Sequence, residues 1–151
     1  MIRHATILLA ALVLFGAMPK PGIWTCVSTE SDRAGSVRYS MNVSTYGKWV
    51  QFSGTEPAAT GPARSFVLLL TYDSKAKRWF IVSYSTTGHF IVSNSAAGPQ
   101  ASRQTWVNLH PVDPKAEPGT IVMSATTWDT YDADTDSGKR VTYRNLCKRS
   151  G

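Results

Sequence analysis

After Phe15 no part of this sequence carries the 3.6-residue apolar period of a helix, and no later apolar run approaches the length needed to cross a bilayer. Helical bundles and folds built on crossover helices are thereby excluded. Reactive residues are scarce as well. The chain has three histidines and two cysteines, too few and too scattered for the three or four clustered ligands that zinc requires. The nucleophile motif G-x-S-x-G is missing, and neither "YGKW" nor "ATGPAR" has phosphate-loop spacing. Glu30, Asp32, Glu56, Asp73, Asp113 and Glu117 all fall in expected turns, loops or strand ends, where burial does not lift a carboxyl pKa for general acid work. A glycosidase-type carboxyl pair inside the barrel finds little support on the same ground. No catalytic residue, metal or cofactor is assigned.

What is present begins with "MIRHATILLAALVLFGAMPKPG", in which Arg3 and His4 precede an apolar run from Ala5 to Phe15. A cationic start followed by a run of this length reads as an export signal, here residues 1–22, cut between Gly16 and Gly22. No A-x-A triplet marks the site, and Pro19 and Pro21 crowd it. An uncleaved anchor is the alternative. The expected product is one exported domain over residues 23–151, periplasmic or extracellular, with no membrane segment left in it. In an oxidising compartment an even cysteine count favours pairing, so Cys26 and Cys147 are expected to form a disulfide stapling the two ends. Two free thiols are the alternative. Lysine and arginine outnumber carboxylates 16 to 10, for a net charge of +6. Only Lys139, Arg140, Arg144, Lys148 and Arg149 cluster, and they read as a solvated terminal strand rather than a patch for nucleic acid or anionic lipid.

Period-2 runs rich in β-branched and aromatic residues fill the rest, separated by Gly, Pro, Ser and Asp. The clearest is "SVRYSMNVST", with Val37, Tyr39, Met41 and Val43 on one face and Arg38, Ser40 and Asn42 on the other. "SFVLLLTYD" is apolar on both faces. About nine short strands are expected, joined by hairpins because no crossover helix is available. An immunoglobulin-type sandwich has its disulfide between middle strands and a Trp after the first Cys. Here the cysteines lie at the two ends and Trp24 precedes Cys26. An all-β, antiparallel up-and-down barrel fits better, since its first and last strands meet and no sheet edge is left free.

"TWDTYDADTDSGKR", residues 127–140, gathers Asp129, Asp132, Asp134 and Asp136. A calcium loop starting at Asp132 needs Gly at its sixth position and Glu at its twelfth. The sequence offers Ser137 and Tyr143, with no flanking helices. The segment also echoes "TYDSKAKRW" at 71–79. Both are expected to be hairpin turns whose aspartates accept from nearby backbone N–H groups.

Aromatic residues occur on nearly every expected strand. Inward side chains of a small barrel either fill it or line a cup for one small ligand. Trp49, Phe66, Trp79, Phe90 and Trp106 are the candidate ligand-binding residues, and Trp79 and Phe80, being adjacent, cannot both face inward.

Trp24-Thr25-Cys26, Tyr72-Asp73 with Arg78-Trp79, "STTGHFIVSNSAAG" at 85–98, Trp106 and Cys147-Lys148 together resemble an uncharacterised family of small exported bacterial proteins with a lipocalin-like β-barrel. The resemblance spans most of the chain after residue 22 and implies a single exported barrel. It carries over no catalytic residue, because that family has no established ones. The chain departs from the pattern at Lys48-Trp49, where such proteins often show a Gly-Gly turn. A more distant likeness to haem-binding ten-stranded barrels makes His110 a candidate ligand. Three functions remain open. One is a non-enzymatic barrel whose partner is a small hydrophobic ligand. Another is an isomerase or cyclase working by cavity shape, helped by Tyr84, His89 or Arg78. The last is an envelope interaction module using the basic C-terminal strand. The oligomeric state is not indicated.

Overall fold

A computed structural model of the chain describes residues 18–58, 61–136 and 138–151. Most of the expected export segment, residues 1–17, lies outside the described residues, as does Ser137 of the expected turn. Ten antiparallel strands form a closed barrel in which each strand pairs with its sequence neighbours and the first with the last. They are β1 (Gly22–Glu30), β2 (Val37–Tyr46), β3 (Trp49–Glu56), β4 (Arg64–Asp73), β5 (Arg78–Ser85), β6 (Phe90–Ser95), β7 (Arg103–His110), β8 (Gly119–Met123), β9 (Thr127–Asp136) and β10 (Lys139–Arg149).

The barrel has ten strands rather than about nine because "TIVMSATTWDTY" is two strands. Ser124 breaks it: its hydroxyl accepts from the Thr126 and Thr127 N–H groups at 3.2 and 3.0 Å, a local turn that competes with the ladder. The parity matters. In an up-and-down barrel an odd strand count would leave the closing pair parallel, whereas β1 and β10 pair antiparallel with Cys26 directly opposite Cys147. Their sulfurs are bonded and both residues are fully buried. A disulfide is compatible with an oxidising compartment, and among the described residues no helix is long and apolar enough to cross a membrane.

The aspartate segment behaves differently from expectation. Asp73 accepts from the N–H groups of Lys75 and Ala76 at 2.8 and 3.1 Å and so makes the expected turn. In the second copy β9 runs on to Asp136, and only residues 137–138 separate it from β10. Asp129, Asp132 and Asp134 are therefore strand residues. The ten-residue ladder between β9 and β10 outweighs the turn tendency of isolated aspartates.

Alternation sets the interior. Tyr39, Met41 and Val43 are buried while Arg38, Ser40 and Asn42 are exposed. The interior is packed at the end where β1 begins, by Trp24, Val43, Val50, Leu70, Trp79 and Met123. Met18–Pro21 straps that end. The Lys20 N–H donates to Ala125 O at 3.0 Å, its carbonyl accepts from the Trp24 indole at 3.1 Å, and Arg149 donates to Pro21 O at 3.0 Å. At the other end lie the connections 31–36 and 111–118, which frame an open mouth.

On the outer face, Arg144 donates twice to Asp129, at 3.0 and 2.9 Å, and Tyr131 donates to the same carboxylate at 2.8 Å. Burial works against ionisation of Asp129, but these donors outweigh it and hold the carboxyl below its ordinary value. The stability this contributes is complete above the ordinary carboxylate range and is lost as pH falls through the depressed value. Asp129→Asn is expected to destabilise by about 1–2 kcal/mol at neutral pH. Urea midpoints of variant and parent should converge in acid; a gap constant with pH would show that packing rather than charge is responsible.

Candidate functional site

The half of the barrel nearer the mouth is not filled. A cavity of about 260 Å³ lies there, bounded by inward residues of β2, β3, β4, β5, β6, β9 and β10. Its apolar wall is Met41, Phe52, Phe66, Leu68, Ile91 and Trp128. Phe52 and Trp128 pack with ring centroids 4.7 Å apart, and their contact separates the cup from the filled half. At Gly54 the wall packs closely against the β3 backbone. A Cβ there would lie 3.0 Å from Met41 and 3.2 Å from the Phe66 ring, so any side chain would displace the wall or enter the cup.

Polar groups make up the rest of the lining. Asn145 Nδ2 donates to the Tyr39 phenol oxygen at 2.6 Å. Burial pushes the Tyr39 pKa up to about 12, with the Asn145 hydrogen bond opposing it. The phenol therefore keeps its proton at neutral pH, and because its oxygen is already accepting, that proton is available to a guest. Ser83, Ser85 and Thr130 add hydroxyls around the wall. Above them Glu56 and Arg64 form an ion pair, and these two residues with His89 line both the cup and a wider cleft of about 420 Å³ at the mouth. Asp132, on the inward row of β9, borders that end. Its carboxyl is pushed up by burial, lowered by the Ala133 N–H and raised again by Asp134.

Of the five candidate aromatic residues only Phe66 lines the cup. Trp79 and Trp106 are buried in the core, the Trp79 indole donating to Gly98 O at 3.1 Å. Trp79 is the inward member of its pair, as alternation requires, and Phe80 is the outward one. Trp49 is half-buried on the outward row of β3 beside inward Val50. Phe90 is exposed at the rim against His110, with centroids 5.6 Å apart. His110 is thus outside the cup. Among the described residues no group of three or more His, Cys, Asp or Glu converges on a metal-sized site. Tyr84 borders the cup and His89 its mouth, but Arg78 lies at the opposite end of β5, about 20 Å of strand away.

Residues the sequence reading left out are Tyr39, Met41, Leu68, Ile91, Asn145 and Gly54. The alternation of β2 marked Tyr39 and Met41 as inward. Mid-strand Gly54 between inward Phe52 and Glu56 was the available sign that neighbouring side chains approach the backbone closely there. Compared with protein-family models and with curated proteins, the sequence matches none of either.

Proposed function

We propose that this protein is an exported, lipocalin-like barrel, of the family the sequence resembles, that binds one small and largely apolar molecule bearing a hydrogen-bond acceptor. What supports the reading is the half-filled barrel: a cup of about 260 Å³ with an apolar wall of six residues, polar groups around the rest of its lining and the protonated Tyr39 phenol facing it. A cavity of that size holds on the order of ten non-hydrogen atoms, below the range of drug-sized sites. Medium-chain carboxylic acids and small aromatic acids, ketones or lactones match it in size. Retinoids and haem are too large for the cup alone.

The test is a titration with such compounds, read by Trp fluorescence and by the NMR signals of the cup methyls. Leu68→Trp should fill the cup and abolish binding while the fold persists. Tyr39→Phe should weaken acceptor-bearing ligands about tenfold and leave matched hydrocarbons unaffected. If Leu68→Trp binds as well as the parent, the cup is not the site. Chemical change of a bound compound during the NMR titration would move the reading to the cavity-shape enzyme.

A further inference from the structure

Charge is divided along the barrel axis. At the filled end lie Lys20 in the strap, Lys48 in the β2–β3 turn, Lys75 and Lys77 in the β4–β5 turn, and Arg78 and Arg103 at the starts of β5 and β7. Lys148 and Arg149 end β10 on the same side. All are exposed, and among the described residues none enters an ion pair. Among the described residues Asp73 is the one carboxylate side chain in the turns of that end, and it accepts from the N–H groups of its own turn. The mouth is the reverse. Its carboxylates equal or outnumber its cations, and Arg33, Arg64 and Arg140 are paired with Glu30, Glu56 and Glu117. The basic C-terminal strand is accordingly not one patch. Lys139 and Arg140 sit at the mouth, about 30 Å of strand from Lys148 and Arg149.

The filled end also carries apolar surface. Tyr46 is 81% exposed. Beside it a groove of about 670 Å³ is lined by Met18, Pro21, Trp49, Tyr72 and Pro99, with Lys20 and Lys48 at its edge. Tyrosine and tryptophan ringed by lysine is the composition of a water–bilayer boundary, and unpaired cations are drawn to anionic headgroups.

We propose that the filled end docks on an anionic bilayer surface, with Tyr46 and Trp49 at the headgroup level and the turn lysines against the phosphates. The mouth then points away from the membrane, and the cup stays open to solvent. This placement stands whether or not the cup binds a ligand. An apolar, aromatic groove favours a lipid surface over nucleic acid, which would leave it unfilled.

The experiment is co-sedimentation of the full chain with vesicles of phosphatidylglycerol mixed into phosphatidylcholine, against phosphatidylcholine alone. The N-terminal apolar run contributes to both, so the difference reads the charged face. Binding should be stronger to the anionic vesicles and should weaken as salt shortens the screening length. Replacing Lys48, Lys75 and Lys77 together with Gln should lower the anionic partitioning roughly a hundredfold, about fivefold for each lysine. Lys115→Gln with Lys139→Gln, at the mouth, should leave it unchanged. Equal binding to both vesicle types, or an unaffected triple variant, overturns the proposal. Tighter binding to duplex DNA than to the anionic vesicles would also overturn it and assign the face to nucleic acid.

Discussion

Replacing Cys26 and Cys147 together with alanine is expected to lower the unfolding free energy by about 4 kcal/mol and the thermal midpoint by on the order of 15 °C. The bridge spans 121 residues, and closing a loop of that size removes chain entropy from the unfolded state worth about 4–5 kcal/mol. That figure is an upper one, but a second term acts in the same direction. Both sulfurs are fully buried at the seam between β1 and β10, so the alanines leave space the neighbours fill only in part. The seam also reaches the cup. Asn145, two residues before Cys147 on the same inward row, donates to Tyr39. Loosening β10 should therefore weaken acceptor-bearing ligands as well as the fold. Thermal unfolding followed by circular dichroism, with and without reductant, gives the first quantity. A loss under about 1 kcal/mol would mean that the β1–β10 ladder alone closes the ring.

The closure of the barrel was legible in the sequence from two facts: no helix period anywhere after Phe15, and one cysteine near each end of the strand-rich region. The strand that was missed shows the limit of that reading. "TIVMSATTWDTY" has no Gly or Pro to mark a break, and the turn comes from Ser124 accepting two backbone N–H groups. A serine hydroxyl is a weaker turn signal than glycine, and here only the requirement of an even strand count would have exposed it. The aspartates were misplaced for the same reason, because the end of β9 was read five residues early. Within the cup the difficulty was of another kind. Period 2 gives the facing of each side chain but not its depth along the barrel axis. Trp79 and Trp106 do face inward, yet they are core residues, while Phe66 lines the hollow. Which inward layer is filled depends on the register between strands, set here by turns as short as Gly47-Lys48. The division of charge between the two ends was hidden too. The sequence places Lys75 beside Asp73 and Arg140 beside Asp136, and only the alternation of strand direction sorts these turns to opposite ends.

Trp24→Ala is expected to be the most damaging single substitution of the filled end, costing about 3–5 kcal/mol. The indole is fully buried, and its N–H donates to the Lys20 carbonyl at 3.1 Å. Its loss therefore removes a core layer and unties the strap at once. Trp24→Phe separates the two contributions. It keeps most of the ring volume and gives up the hydrogen bond, so it should cost about 1–2 kcal/mol. Urea unfolding of both variants, with the disulfide intact, provides the comparison. Lys20 matters in this ladder only through its backbone, so Lys20→Gln should match the parent in stability while still weakening attachment to anionic vesicles. If Trp24→Ala unfolded at nearly the parent midpoint, the filled end would not be the rigid base on which the hollow half stands. The hollow would then have no fixed floor, because Phe52 and Trp128 rest on the layer that Trp24 helps to pack.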